Sequence, residues 1–236
     1  TTMNRINGLP GYSTGQSWSP RLVRRGNQGA VYLDGGGVID GTNSGDASNT
    51  GYPHVLQPGK IMVKAASGGL YRNFIIGKTT AAYVDNDTTL TVSAATATEV
   101  ARLTAAAGAS LSLALIAPPS AAGTVAATAI TETAASGTTL TISDLNLAKV
   151  TDSLIALPAA GYTAGSFCII DDNDFINLTD ETNARANQPF PRMLIGGTLD
   201  TSQLLDWPAD SSTVTYLKGL LNAAGGMSQF RFDDPS

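Results

Sequence analysis

His54 is the chain's single histidine and Cys168 its single cysteine, so a Ser-His-Asp or Cys-His nucleophilic system would have to draw on one of these two positions. His54 lies in the turn-like segment Gly51-Tyr52-Pro53-His54, and Cys168 in the apolar run Ser166-Phe167-Cys168-Ile169-Ile170, with no charged neighbour before Asp171. Nothing in that run favours a thiolate. A lone cysteine also excludes a disulfide within the chain, and the expectation is a buried, reduced thiol. The acidic cluster Asp171-Asp172-Asn173-Asp174 has the oxygen density that calcium takes, but not the spacing or the distal glutamate of an EF-hand. It reads as a solvated turn after a buried strand. The pair Asp180-Glu181 would suit glycoside hydrolysis only with a defined separation across a sugar cleft. The glycines form neither a G-x-G-x-x-G after a strand nor a Walker loop. The residues therefore point to no catalytic group, no metal and no cofactor, and to a chain that is not an enzyme.

What remains is adhesion. Only 14% of the 236 residues are charged, against about 25% in ordinary soluble domains, so few charges need desolvating when such a surface meets another protein. A bland β-rich surface domain has the same composition. The net charge of −5 is unevenly spread: residues 1–33 hold Arg5, Arg21, Arg24 and Arg25 and no acid, so this stretch carries +4 and the remainder −9. Four arginines without interleaved aromatics are a weak nucleic-acid signal, so an acidic protein surface is the expected partner and direct nucleic-acid binding is not. No run of 18 apolar residues suggests a membrane partner. The N-terminal residues have no apolar signal region, and synthesis in a bacterial cytoplasm is the expectation.

The elements that position these residues divide the chain in three. Residues 1–55 are rich in Gly, Asn and Ser and broken by Leu9-Pro10-Gly11-Tyr12, Trp18-Ser19-Pro20 and Gly35-Gly36-Gly37, which predicts an extended N-terminal arm with a short strand at Ala30–Leu33. Its spaced anchors, Ile6, Leu9, Tyr12, Trp18, Leu22, Val23 and Tyr32, suit an arm that orders on a partner. Residues 56–84 and 161–236 predict a β-rich body. Within it, Lys60–Ala65 and Tyr71–Ile76 form a hairpin around Ser67-Gly68-Gly69, and Thr79–Val84 with Thr88–Val92 form another. Further strands are expected over Ser166–Asp171, Arg192–Leu199 and Met227–Phe232. A helix over Thr213–Ala223 is expected to be capped by Ser211 or Ser212 and stopped by Gly225-Gly226. The last strand can complete the sheet of its own subunit or a neighbour's.

Residues 85–160 predict an inserted α+β module. Thr88-Thr89-Leu90-Thr91-Val92-Ser93 is matched fifty residues on by Thr138-Thr139-Leu140-Thr141-Ile142-Ser143, a candidate internal repeat. Each copy precedes a predicted helix, over Ala97–Ala107 and Leu145–Val150, with Ser110–Ile116 and Thr124–Glu132 as strands around Pro118-Pro119. Chance likeness in a Thr/Ala-rich stretch competes with the repeat. The predicted fold class is α+β, mainly β.

The segment Leu56-Gln57-Pro58-Gly59-Lys60-Ile61-Met62, then Met193-Leu194-Ile195-Gly196-Gly197-Thr198-Leu199, Leu204-Leu205 and Phe230-Arg231-Phe232, resembles the decoration, or cement, proteins of tailed-bacteriophage heads. The resemblance covers residues 50–85 and 160–236. It implies a virion protein on the outer capsid surface that binds the major capsid protein and stabilises the shell, as a homotrimer. On that reading Arg5, Tyr12, Trp18, Arg21, Leu22, Arg24 and Arg25 are the capsid-binding residues, the aromatics as anchors and the arginines paired with acidic rim groups. Two rival readings are a phage tail, fibre or surface adhesin module recognising a glycan or receptor, with calcium at Asp171–Asp174, and a cell-wall hydrolase using His54 or Asp180-Glu181.

Overall fold

The computed structural model describes residues 23–24, 29–49, 51–84, 86–117, 126–143, 153–171, 175–223 and 226–234. The chain opens with β1 (Val31–Tyr32), β2 (Gly37–Ile39), β3 (Val55–Leu56), β4 (Ile61–Ala65), β5 (Tyr71–Asn73) and β6 (Ile75–Lys78). There follow β7 (Thr89–Thr91), helix α1 (Ala94–Ala107), β8 (Leu111–Ala117), β9 (Ala126–Ser136), β10 (Thr139–Ile142) and β11 (Leu154–Ala156). The last third carries β12 (Tyr162–Ile170), β13 (Ile176–Asn177), β14 (Gln188–Phe190), β15 (Met193–Asp200), helix α2 (Ser211–Leu221) and β16 (Gln229–Asp233). The fold is α+β and mainly β.

One sheet runs β1-β15-β12-β4-β5-β2-β14, with β16 added parallel to β15. A second runs β6-β11-β8-β9-β10-β7, and β3 pairs with β13 apart from both. The ends of the second sheet meet. Thr79, next after β6, bridges Val92, next after β7, and Thr80 N–H donates to the Thr91 carbonyl at 2.8 Å, so the sheet curls onto itself. Of the expected strand at Thr79–Val84, Thr79 and Tyr83 form isolated bridges and no continuous ladder runs between them. Tyr83 stays buried with Leu90 and Val92, and the Val84 amide after it donates to the Asp87 carboxylate.

Strand alternation assigns each side chain to one of three apolar cores. Phe167 and Ile169 of β12 enter the core shared by the two sheets, whereas Cys168 and Ile170 point to the opposite face with Met62, Tyr71 and Met193. In the second sheet Leu154 and Ala156 of β11 enter the shared core, while Ile155 joins Leu113, Leu115, Leu90, Leu140 and Val100 in the third. Because both faces of β12 and β11 are covered, these strands read in sequence as continuous apolar runs. The curled sheet begins at Ile75, inside the segment assigned to the body, and its residues Ile75, Ile116 and Leu154 pack in one core with Ile61, Phe74 and Phe167.

The two copies of the Thr-Leu-Thr motif are antiparallel neighbours, with Leu90 opposite Leu140 and both leucines fully buried. The strands after each copy, β8 and β11, also pair antiparallel, Leu115 opposite Ile155. Corresponding segments thus face each other across a local two-fold relation. The helix expected over Leu145–Val150 and the Pro118-Pro119 breaker lie outside the described residues.

Helix α1 starts three residues earlier than expected, because Ser93 is its N-cap and accepts from the Thr96 amide at 3.1 Å. Helix α2 also starts early. Its cap is Asp210, not Ser211 or Ser212, and the carboxylate takes the Thr213 amide at 2.7 Å. The closing strand β16 completes the sheet of its own chain, with Phe230 buried and Phe232 half-buried on one face. Its outer edge at Phe230 is occupied by the Asn222 amide, which both donates to and accepts from that residue's backbone at 2.7 Å. That contact blocks strand addition there.

The expected arm over residues 1–55 is partly built into the body. β1 and β2 are strands of the large sheet, β3 pairs with β13, and Asp40, Ser44, Asp46 and Asn49 are buried. Their many Gly, Asn and Asp residues hid this from the pattern, because they pack through hydrogen bonds and not through periodic apolar contacts.

Candidate functional site

Of the seven expected partner-binding residues, Arg24 lies among the described residues; Arg5, Tyr12, Trp18, Arg21, Leu22 and Arg25 lie outside them. Arg24 is the root of the N-terminal segment. Val23 before it is fully buried in the shared core, its carbonyl accepts from the Asp200 amide at 2.9 Å, and Arg24 bridges Leu199 antiparallel. The Arg24 guanidinium pairs with Asp171 and lies 5.8 Å from the centre of the Tyr32 ring. Arg192 lies 5.6 Å from the same ring and donates to the Asp171 carbonyl at 3.1 Å, and the Tyr32 hydroxyl donates to the Asp171 carboxylate at 2.5 Å. Burial, then the bond to Asp171, raises the Tyr32 pKa, which keeps the phenol protonated. The expectation that Arg24 pairs with an acidic group on a partner is therefore corrected. Asp171 is 4% exposed, and a carboxylate so desolvated takes the nearest cation of its own chain. The same pairing engages the first acid of the Asp171–Asp174 cluster; residues 172–174 lie outside the described residues.

Beside this root, a cleft of about 500 Å³ is lined by Gly29, Val31, Gly197, Thr198, Gln229 and Arg231 among others. Val31 is half exposed there. A second space, at the junction of the two sheets, measures about 40 Å³ and is bounded by Asn43, Gly45, Asn73 and Glu99. It has room for little more than water.

That junction is held by charge. Glu99 of α1 is buried and pairs with Arg102 at 2.5 Å; Arg102 donates onward to the Thr42 and Ser44 carbonyls, and Arg185 reaches the Ser44 carbonyl at 2.9 Å. Burial, then the Arg102 charge, pulls Arg185 down to about 10. Burial alone would raise Asp40, but hydrogen bonds from Asn43 and the Arg72 guanidinium at 2.8 Å outweigh it and hold it below the usual carboxylate value. A Cβ on Gly45 would stand 2.1 Å from the Glu99 carboxylate. Gly45→Ala is expected to cost about 1–3 kcal/mol by pushing α1 off residues 40–49, seen as a lower thermal midpoint.

A third charged group was not anticipated from the sequence. Lys60 is fully buried, with its Nζ 3.0 Å from Asp46 and 2.5 Å from Asp206. Burial alone would lower the Lys60 pKa, but the Asp46 and Asp206 carboxylates outweigh it and raise it. The available signal was a lysine opening an apolar strand, in Lys60-Ile61-Met62-Val63.

The residues considered for chemistry have other occupations. Cys168 is buried in an apolar core, and burial pushes its thiol well up. Burial, then Arg185, lowers the His54 pKa, and its ring meets Tyr52 edge-on at 6.1 Å. Asp180 closes a turn, accepting from the Thr182 hydroxyl and amide and the Ala184 amide, which lower its pKa. Among the described residues no group of three or more His, Cys, Asp or Glu could hold a metal, and no helix is long and apolar enough to cross a membrane. Comparison with protein-family models, curated proteins and solved structures finds no match to this chain.

Proposed function

We propose that the chain is a non-enzymatic virion structural protein that binds the outer surface of a phage capsid and stabilises the shell, a decoration protein acting as a homotrimer on the major capsid protein. The observation that carries this reading is the fixed root of the N-terminal segment. Val23 is sealed in the core and Arg24 is clamped by Asp171, so whatever the preceding residues grip is tied to a rigid sheet. That preceding segment retains Arg5 and Arg21 as cations and Tyr12, Trp18 and Leu22 as anchors. Repeated over many copies on a shell, a modest contact of this kind accumulates into large avidity. The low charge of the surface supports the same reading, since little desolvation opposes contact.

The root dictates the test. A deletion ending at Leu22 leaves Val23 and Arg24 in place, so the body keeps its core. The truncated protein is expected to remain folded by circular dichroism and to stop co-sedimenting with empty capsids. Undiminished co-sedimentation contradicts the reading.

A further inference from the structure

Lys60, Asp46 and Asp206 are closed off together inside the body, with side-chain exposures of 2%, 0% and 17%. One ammonium between two carboxylates leaves an excess negative charge in a desolvated site, and such groups add less to stability than apolar packing of the same volume. The backbone presses the three together. Ile170 N–H donates to the Lys60 carbonyl at 3.1 Å, and Leu205 N–H donates to the Gly59 carbonyl at 3.1 Å, which fixes the Asp206 turn against the start of β4. Asp206 itself is in the left-handed region at φ 61°, a conformation aspartate adopts at a cost and one that clusters at functional positions. Asp46 is held on both oxygens: the Ser48 amide and hydroxyl donate to Oδ1 at 3.1 and 2.5 Å, and Gln57 donates to Oδ2 at 3.2 Å.

We propose that Lys60 and Asp206 condense into an intramolecular isopeptide cross-link, with Asp46 as the proton carrier. The reaction starts from the ammonium–carboxylate pair. Asp46 takes a proton from Lys60 Nζ and passes it to the Asp206 carboxylate, leaving a neutral amine beside a neutral acid. The Nζ lone pair forms a bond to Asp206 Cγ. Asp46 then removes a second proton from the nitrogen and delivers it to the departing hydroxyl, the C–O bond breaks, and one water leaves. An ammonium and a carboxylate become an amide and water, Asp46 returns to its carboxylate, and no oxidant, reductant or cofactor is required. Asp206 is the acceptor because Asp46 is already engaged by Ser48 and Gln57, and because Asp206 is the member with some exposure, through which water can leave. The bond would join positions 146 residues apart.

The test is the mass of purified full-length protein after prolonged incubation at neutral pH. The expected mass is lower than that of the sequence by one water, about 18 Da, and tryptic digestion yields a branched peptide joining residues 60 and 206. Full mass with normal tryptic cleavage after Lys60 overturns the proposal, and so does water loss mapped to another pair. Asp46→Asn is expected to give full mass with an unchanged circular dichroism spectrum. A folded Asp46→Asn protein that still loses the water overturns the role of Asp46. If that variant does not fold, the wild-type mass and peptide map remain decisive.

Discussion

Measured against freshly purified protein in which Lys60 and Asp206 are still an ion pair, replacing Lys60 with alanine is expected to destabilise the chain by about 3–5 kcal/mol, read as a lower urea midpoint. The substitution leaves Asp46, with no side-chain exposure, facing Asp206 without a counter-ion. A buried carboxylate stripped of its cation must be solvated, so the native state has to open to water there. The variant loses this Coulomb attraction together with the packing of a fully buried aliphatic stem. The Lys60 pKa is raised in the folded protein, so this contribution is fully present below the ordinary lysine value of 10.5 and is lost only as pH rises through the higher folded value. The gap between wild type and variant from this group is accordingly constant across neutral pH. A gap under about 1 kcal/mol, the level of a surface pair, contradicts the burial on which the argument rests.

Phe74→Ala is expected to cost a similar amount, about 3–5 kcal/mol, by a different route. Phe74 lies between β5 and β6, where the chain passes from the large sheet to the curled one. It is 1% exposed and makes edge-to-face contacts with Phe167 at 5.0 Å and Tyr162 at 5.5 Å. Its backbone also ties the two sheets, accepting from the Leu157 amide at 2.9 Å and donating to the Ile61 carbonyl at 3.0 Å. The alanine variant keeps those backbone bonds and leaves a cavity in the core both sheets share. Near-UV dichroism is expected to weaken while the far-UV signal persists, and urea unfolding is the quantitative check.

Local chemistry explains which features were legible before the structure. The hairpin at Ser67-Gly68-Gly69 follows from glycines that accept positive φ, 78° at Gly68 and 69° at Gly69, between the strands β4 and β5. The buried Cys168 strand and the repeated Thr-Leu-Thr motif were readable for the same reason, since each signal sits within a few residues. Misread features depend on distant partners. Residues 40–49 looked like loose arm because their burial rests on Arg72, Arg102 and Arg185, which come from three later segments. Arg24 looked like a free cation because Asp171, its partner, is 147 positions away in the chain. The Lys60 group was invisible for the same reason, with Asp206 brought to it by the turn after β15.

The central claim is that the segment before Val23 attaches a rigid β body to a capsid shell. The most direct measurement is co-sedimentation of the full chain, and of the chain beginning at Val23, with empty capsids of a tailed phage over a range of protein concentrations. Saturable binding by the full chain, lost on truncation while the body stays folded, is the predicted result. No binding by the full chain, or equal binding by both, contradicts it.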